Sequence, residues 1–257
     1  MPPPMYPARH AAAPNRQAPA HGLARVLSKL GVCSRSQAER QVRAGRVRVD
    51  GRLVRDPYLP VSAATHAIEV DGKPVTAVAS VYIMFNKPRG LVVSAADEHG
   101  RDTVYDELTA ADLPWLGPVG RLDKASEGLL LLSNDSVWAA RITEPSSHLP
   151  KTYHVQVDCV PTDRLLEQLR AGTDDAGEHL QARQVSLLRA GSKNAWLEMV
   201  LDEGRNRHIR RLLAAHHVQV MRLLRVAIGP LQLGTLAKRQ WRHLQSWEVA
   251  ALGGASR

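Results

Sequence analysis

Apolar positions begin to repeat at Leu23. Leu23, Val26, Leu27 and Leu30 follow i, i+3, i+4, i+7 spacing, which predicts a helix, and Gly31 sits where a left-handed cap would stop it. Ser36 followed by Glu39 has the form of a capping box opening a second helix through Val42, closed by Gly45. The period then falls to two. Val47 and Val49 alternate as a strand, Asp50-Gly51 makes a hairpin turn, and Leu53-Val54 begin the return. Asp71-Gly72 reads as a further turn, followed by a linker, so a small helix-helix-hairpin domain with its linker is expected over residues 22–78.

A second domain is expected over residues 79–250. Its first strand runs from Val81 to Phe85, is broken by Lys87-Pro88-Arg89-Gly90, and has a predicted return at Leu91 to Val93. The four-leucine run Leu129 to Leu132 must be buried. Tyr153, Val155 and Val157 alternate with polar neighbours as a half-buried strand, Thr162 caps a helix carrying Leu165, Leu166 and Leu169, and Trp196 to Leu201 forms another strand. Helices and strands mix without regular βαβ spacing, which predicts an α+β fold rather than a doubly wound parallel sheet.

Composition narrows the function. The 257 residues carry 34 Lys and Arg against 25 Asp and Glu, a formal charge of +9, which puts anionic partners first and nucleic acid ahead of a membrane surface. Apolar runs fall far short of the roughly 20 residues that cross a bilayer. The two cysteines, Cys33 and Cys159, form neither a disulfide framework nor a metal-ligand pair, and a reducing cytoplasm is the expected setting. His208, His216 and His217 lack the i, i+4 spacing of a zinc pair on one helix, so no metal is expected. Residues 1–21 are rich in Pro and Ala, with no acidic residue, and are expected to be a disordered basic tail.

The charge is concentrated. Residues 22–68 hold nine basic side chains, Lys29, Arg35, Arg40, Arg43 and Arg46 among them, against three acidic ones. A basic helical unit of this size suits phosphate-backbone contact. The segment from Leu27 to Glu39, followed by Ala44-Gly45-Arg46-Val47-Arg48-Val49-Asp50-Gly51, resembles the RNA-binding module named after the fourth small-subunit ribosomal protein. The resemblance implies that these basic side chains face structured RNA.

Two segments of the second domain are candidates for chemistry. In Gly120-Arg121-Leu122-Asp123 an acidic residue sits in a glycine-bounded turn beside an arginine, just before the leucine run; taken alone, such a residue is more often a structural turn cap than a catalytic group. Glu203-Gly204-Arg205-Asn206-Arg207-His208-Ile209-Arg210-Arg211, read as a helix, sends Ile209 to the core and fans Arg205, Arg207 and Arg211 outward, with guanidinium groups suited to phosphate.

These two segments, in this order, with Lys151-Thr152-Tyr153 between them and Asn86-Lys87-Pro88-Arg89-Gly90 ahead, resemble the RsuA-type ribosomal RNA pseudouridine synthases. The resemblance implies a catalytic domain with a mixed, largely antiparallel sheet flanked by helices. It puts the catalytic aspartate at Asp123, the active-site tyrosine at Tyr153 and the basic partner of the aspartate at Arg210. Arg121 would help hold the flipped-out nucleotide or fill its place, and Arg205, Arg207 and Arg211 would bind RNA. It implies a cytoplasmic monomer without cofactor, acting on ribosomal RNA or a pre-ribosomal particle. Two positions depart from the family pattern: His208 replaces a usual glutamine, and Arg239 stands near a usual glycine. The rival expectations are a non-catalytic RNA-binding or assembly factor, and an enzyme that cleaves the glycosidic bond outright with Glu127 as a second carboxylate.

Overall fold

In the first hairpin, Asp50 and Gly51 both take positive φ (49° and 75°), the turn geometry that matches the twist of the strands it joins. The computed structural model describes residues 20–95, 100–109 and 111–253, so most of the predicted tail lies outside the described residues. These fall into two compact units: 20–27 with 35–75, and 28–34 with 76–253.

The first unit opens with β1 (His21–Gly22), so among the described residues regular structure starts at His21. It continues through α1 (Leu23–Lys29), α2 (Arg35–Arg43), β2 (Val47–Val49), β3 (Arg52–Val54), β4 (Pro60–Val61), β5 (Ile68–Val70) and β6 (Lys73–Pro74). β2 is central, between β3 and β5, and Asp71-Gly72 turns β5 into β6, a short strand where only linker was expected. Leu23, Leu27, Ala38, Val42 and Val47 are fully buried, each apolar side chain contributing about 1–3 kcal/mol. α2 starts at Arg35, one residue ahead of the expected Ser36 cap, so Ser36 lies inside the helix and Ser34 precedes it.

The second unit contains β7 (Tyr82–Lys87), β8 (Gly117–Val119), β9 (Glu127–Ser133), α3 (Ser136–Thr143), β10 (Lys151–Val157), α4 (Asp163–Ala171), β11 (Thr173–Asp175) and β12 (Glu178–Leu180). There follow β13 (Gln184–Ala190), β14 (Ala195–Leu201), α5 (His208–Ala214), β15 (Val220–Ile228), β16 (Leu231–Gln232), β17 (Trp241–His243) and α6 (Ser246–Ala251). Its main sheet runs β13-β14-β10-β15-β9-β7-β17, with β8 beside β9 and β16 beside β15. The β15–β9 pairing is parallel, and the other strand pairings of this sheet are antiparallel. The fold is thus α+β with a mixed, largely antiparallel sheet, as expected.

β9 explains the leucine run. Leu129 and Leu131 pack toward Trp138 and Ile142 of α3, while Leu130 and Leu132 pack toward Phe85, Leu91 and Val104, and all four leucines are fully buried. A strand covered on both faces has no polar alternation to show. The predicted return at Leu91 to Val93 does not form a strand; Val92 makes an isolated bridge to Thr103 instead. β7 already has β9 on one edge and β17 on the other, leaving no edge for it.

α3 is capped by Asp135, whose carboxylate accepts from the amides of Val137 and Trp138, and Thr162 caps α4 as expected. α5 begins only at His208, because Arg207 adopts a left-handed conformation (φ 49°). Arg205 and Arg207 therefore sit in the preceding loop and not on the helix, while Ile209, Leu212 and Leu213 reach the core as predicted. Arg239 also has positive φ (65°), consistent with the glycine usual there, and its guanidinium pairs with Glu107.

Candidate active site

The turn from Arg121 to Ser126 leads into β9, and its carbonyls are held largely by basic side chains. Lys87, at the end of β7, is fully buried; its Nζ donates to the carbonyls of Pro88 (3.0 Å), Asp123 (3.2 Å) and Ser126 (2.9 Å). The Gly90 amide donates to Lys124 O, Arg210 Nη2 to Ala125 O at 3.3 Å, and Arg225 Nη1 to Arg121 O at 3.5 Å. Buried carbonyls require such partners, and these four groups fix where the Asp123 carboxylate starts from.

Burial pulls the Lys87 ammonium down to about 8, against the opposing pull of Asp123 and Glu127. Lys87 went unassigned in the sequence because Asn86-Lys87-Pro88-Arg89-Gly90 looks like a turn. Only the pairing of Lys87 with Gly128 brings it beneath a loop about 36 residues away.

Gly128 is a second hidden requirement. Its φ is 101°, and a Cβ there would stand 2.3 Å from Arg225 O on β15. The absence of a side chain lets β15 approach β9 closely enough for Arg225 Nε to reach Leu129 O at 2.7 Å.

Beside this turn lies a cavity of about 440 Å³. Asp123, Tyr153 and Arg210 line it, and so do Arg121, Arg205 and Arg207. Tyr153 faces it from β10, opposite Arg225 on β15 and Met199 on β14. Lys151, two residues earlier on the same strand face, joins them; burial and then Arg225 lower its pKa, opposed by Asp202.

Arg210 directs its hydrogen bonds to the carbonyls of Val220 and Ala125, both at 3.3 Å. No Asp123–Arg210 ion pair forms within the described residues, but the two interact through space. Burial, with Arg207 and Arg89 nearby, lowers the Arg210 pKa, and Asp123 opposes that shift. His208 is buried at the cavity wall, where desolvation pushes its imidazole down; its Nδ1 lies 3.6 Å from Glu203 Oε1.

Arg211 does not line the cavity. Its guanidinium turns to β11 and β12, with Nε 2.5 Å from Asp175 Oδ2 and Nη1 2.5 Å from Glu178 Oε2. In the first unit, Arg35 and Arg43 flank Glu39 at 3.5 and 3.6 Å, and Arg46 pairs with Asp71. Arg40 and Arg46 line a shallow hollow along α2; Lys29, the last residue of α1, falls in the 28–34 segment of the second unit.

Glu127 is nearly inaccessible, with its side chain 1% exposed, and it lies on the sheet face away from Tyr153 and Arg225. Burial alone would raise its pKa, but Arg222 (3.0 Å) and Lys238 (2.7 Å) outweigh that and hold the carboxyl below its ordinary value. It does not line the cavity as a second carboxylate.

Among the described residues, no group of three or more His, Cys, Asp or Glu is placed to hold a metal ion, and no helix is long and apolar enough to cross a membrane.

Comparison with known proteins places this geometry in a family. Residues 81–215 match the family model of RNA pseudouridylate synthases, and residues 22–65 match the S4 domain. The chain is 37% identical over 230 residues to an uncharacterized RNA pseudouridine synthase of Aquifex aeolicus, covering 89% of this chain and 92% of that one. An uncharacterized RNA pseudouridine synthase of Mycobacterium tuberculosis is also 37% identical, over 90% of this chain and 92% of its own. A crystal structure of a pseudouridylate synthase superposes with a TM-score of 0.63 at 28% identity, covering 90% of this chain and 99% of that one. The chain therefore belongs to the RNA pseudouridine synthases, isomerases that act on RNA, and has the RsuA-type order of an S4 domain followed by the synthase domain.

Proposed function

We propose that this enzyme isomerises a specific uridine of ribosomal RNA, with Asp123 as the catalytic carboxylate. The cavity carries the proposal: it gathers Asp123, Tyr153 and Arg210 from three separate elements around a space of about 440 Å³, enough for a nucleoside to enter after leaving its stack.

The bond between the ribose anomeric carbon and uracil nitrogen 1 breaks, the base turns in place, and carbon 5 takes the vacated position. Carbon 5 then loses its proton and nitrogen 1 gains one, so the atoms balance without oxidant or hydride. The Asp123 carboxylate either attacks the sugar or stabilises the positive charge that develops there. Tyr153 stacks on the uracil. Arg210 offsets the cost of keeping a carboxylate ionised in a partly dry pocket. Arg121 holds the extruded nucleotide or fills its place, and Arg205 and Arg207 meet the phosphates around it. Lys29, Arg35, Arg40, Arg43 and Arg46 of the S4 domain bind the RNA away from the target, giving affinity with little sequence choice. The enzyme works as a cytoplasmic monomer on ribosomal RNA or a pre-ribosomal particle.

Glu127 is ruled out as the second carboxylate of an outright cleavage, because Arg222 and Lys238 clamp it on the opposite sheet face; Asp202 and Glu203 do line the cavity, and the released product separates the two reactions. Pseudouridine mapping across both large ribosomal RNAs, in cells with and without the gene, tests the reading. One site should disappear with the gene. An unchanged map in both RNAs would refute the ribosomal assignment, and release of free uracil by the purified enzyme would refute isomerisation.

A further inference from the structure

We propose that Arg211 is a positioning residue that braces the arginine loop of the cavity through the β11–β12 hairpin, and that it does not itself touch RNA. The inference rests on reading the cavity as the RNA-modifying site.

Asp175 and Glu178 face each other directly across the hairpin, with only the Ala176-Gly177 turn between them. Two carboxylates in that register repel each other. The Arg211 guanidinium resolves the conflict: Nε meets Asp175 Oδ2, Nη1 meets Glu178 Oε2, and Nη2 donates to Asp175 O at 2.8 Å. A planar fork suits this task and an ammonium does not. The side chain is only 20% exposed, so RNA cannot reach it without dismantling the pairs.

The brace continues to the cavity. Arg211 Nη1 also lies 3.4 Å from the carbonyl of Asn206, inside the loop that carries Arg205 and Arg207. Glu178 offers its other oxygen to Arg205 Nη1 at 3.9 Å, and Arg205 Nε donates to Glu203 at 2.8 Å. The loop enters α5 through the left-handed Arg207, a conformation a non-glycine residue holds only when its surroundings impose it. Hairpin, loop and the first turns of α5 are thereby fixed as one piece. On adjacent residues of α5, Arg210 points to the Asp123 turn and Arg211 to the hairpin.

The proposal reverses an ordinary electrostatic expectation. Removing negative charge beside an RNA site strengthens RNA binding when the charge acts only by repulsion. If Asp175 and Glu178 instead hold the loop in its binding geometry, Asp175→Asn with Glu178→Gln weakens binding. Affinities of unmodified transcripts of the large- and small-subunit ribosomal RNAs, measured over a series of salt concentrations, read this out. The double variant should bind roughly fivefold more weakly, and Arg211→Gln similarly. The slope of log affinity against log salt should move together in the two variants, because both loosen the same Arg205–Arg207 loop. KM should rise with kcat at saturating RNA within about threefold. Glu178→Gln alone provides the same comparison if the double variant does not fold.

Tighter or unchanged binding by the acid-to-amide variants overturns the brace. A slope shallower by about 0.7 to 0.9 in Arg211→Gln but unchanged in the acid-to-amide double variant also overturns it, by showing a phosphate contact at Arg211 itself. An unchanged pseudouridine map of both large ribosomal RNAs in cells without the gene would instead refute the functional reading, and the binding comparison would still decide the brace.

Discussion

The two faces of the sheet where β9, β15 and β10 meet treat their charged groups in opposite ways. On the cavity face, the Asp123 turn is held by its backbone carbonyls, while the carboxylate itself has no ion-pair partner among the described residues. On the other face, Glu127 is held by its own oxygens, with Arg222 and Lys238 occupying both of them. One carboxylate is positioned and left available, and the other is neutralised and closed off. A group that must react is best fixed through atoms that do not take part.

The comparison breaks most completely if Asp123→Asn still works. That variant should form pseudouridine at least roughly 10³-fold more slowly in single-turnover assays while binding RNA within about threefold of wild type. Normal turnover would show that the available carboxylate is not the reactive one.

Next comes the support of the cavity face. Lys87→Met removes the buried donor from the carbonyls of Pro88 and Ser126 and leaves Asp123 O with only the Ser126 amide. It should cost about 3 kcal/mol in chemical denaturation, from unsatisfied carbonyls costing roughly 1–3 kcal/mol each. Because burial lowers Lys87 to about 8, the unfolded chain holds that proton more tightly. Its contribution to wild-type stability therefore rises as pH increases from about 8 through the ordinary lysine range. Methionine should abolish that rise, and a variant that keeps it would place the titration elsewhere.

On the closed face, Glu127→Gln should cost about 2 kcal/mol at neutral pH, since Arg222 and Lys238 lose their counter-charge. The folded carboxyl titrates below its unfolded value. The stabilisation is therefore complete above the ordinary glutamate range and lost as pH falls through the folded pKa, where variant and wild type should converge in urea melts. The smallest effect is expected from Lys238→Ala. Its lysine is 58% exposed, and it should lose under about 1 kcal/mol, less again in high salt.

The sequence carried the parts of this site that are local. Asp50-Gly51 and Thr162 determine turns and caps within four residues, and the uninterrupted Leu129 to Leu132 run marks a strand covered on both sides. Asp123, Tyr153 and Arg210 were legible through the family motifs around them. What stayed hidden depends on contacts across long stretches of chain. Lys87 sits in a segment that looks like a turn, and its acceptors become visible only once β7 pairs with β9. Arg211 belongs to an arginine-rich run whose spacing suggests a fan toward phosphate, but its partners lie 33 and 36 residues upstream in a short hairpin. α5 starts late because Arg207 takes a backbone conformation that no side-chain pattern announces.

The one parallel strand pairing of the main sheet, β15 beside β9, also sets a time order. It consists of Leu224 opposite Glu127 and Arg225 opposite Gly128, and it supplies the Arg225 bonds to Leu129 and Arg121. During synthesis the ribosome makes Asp123 and Tyr153 long before Arg225. A nascent chain that already displays the S4 domain and the aspartate therefore still lacks the strand that closes the Asp123 turn. The Asp123 turn is therefore completed only when nearly the whole synthase domain has emerged.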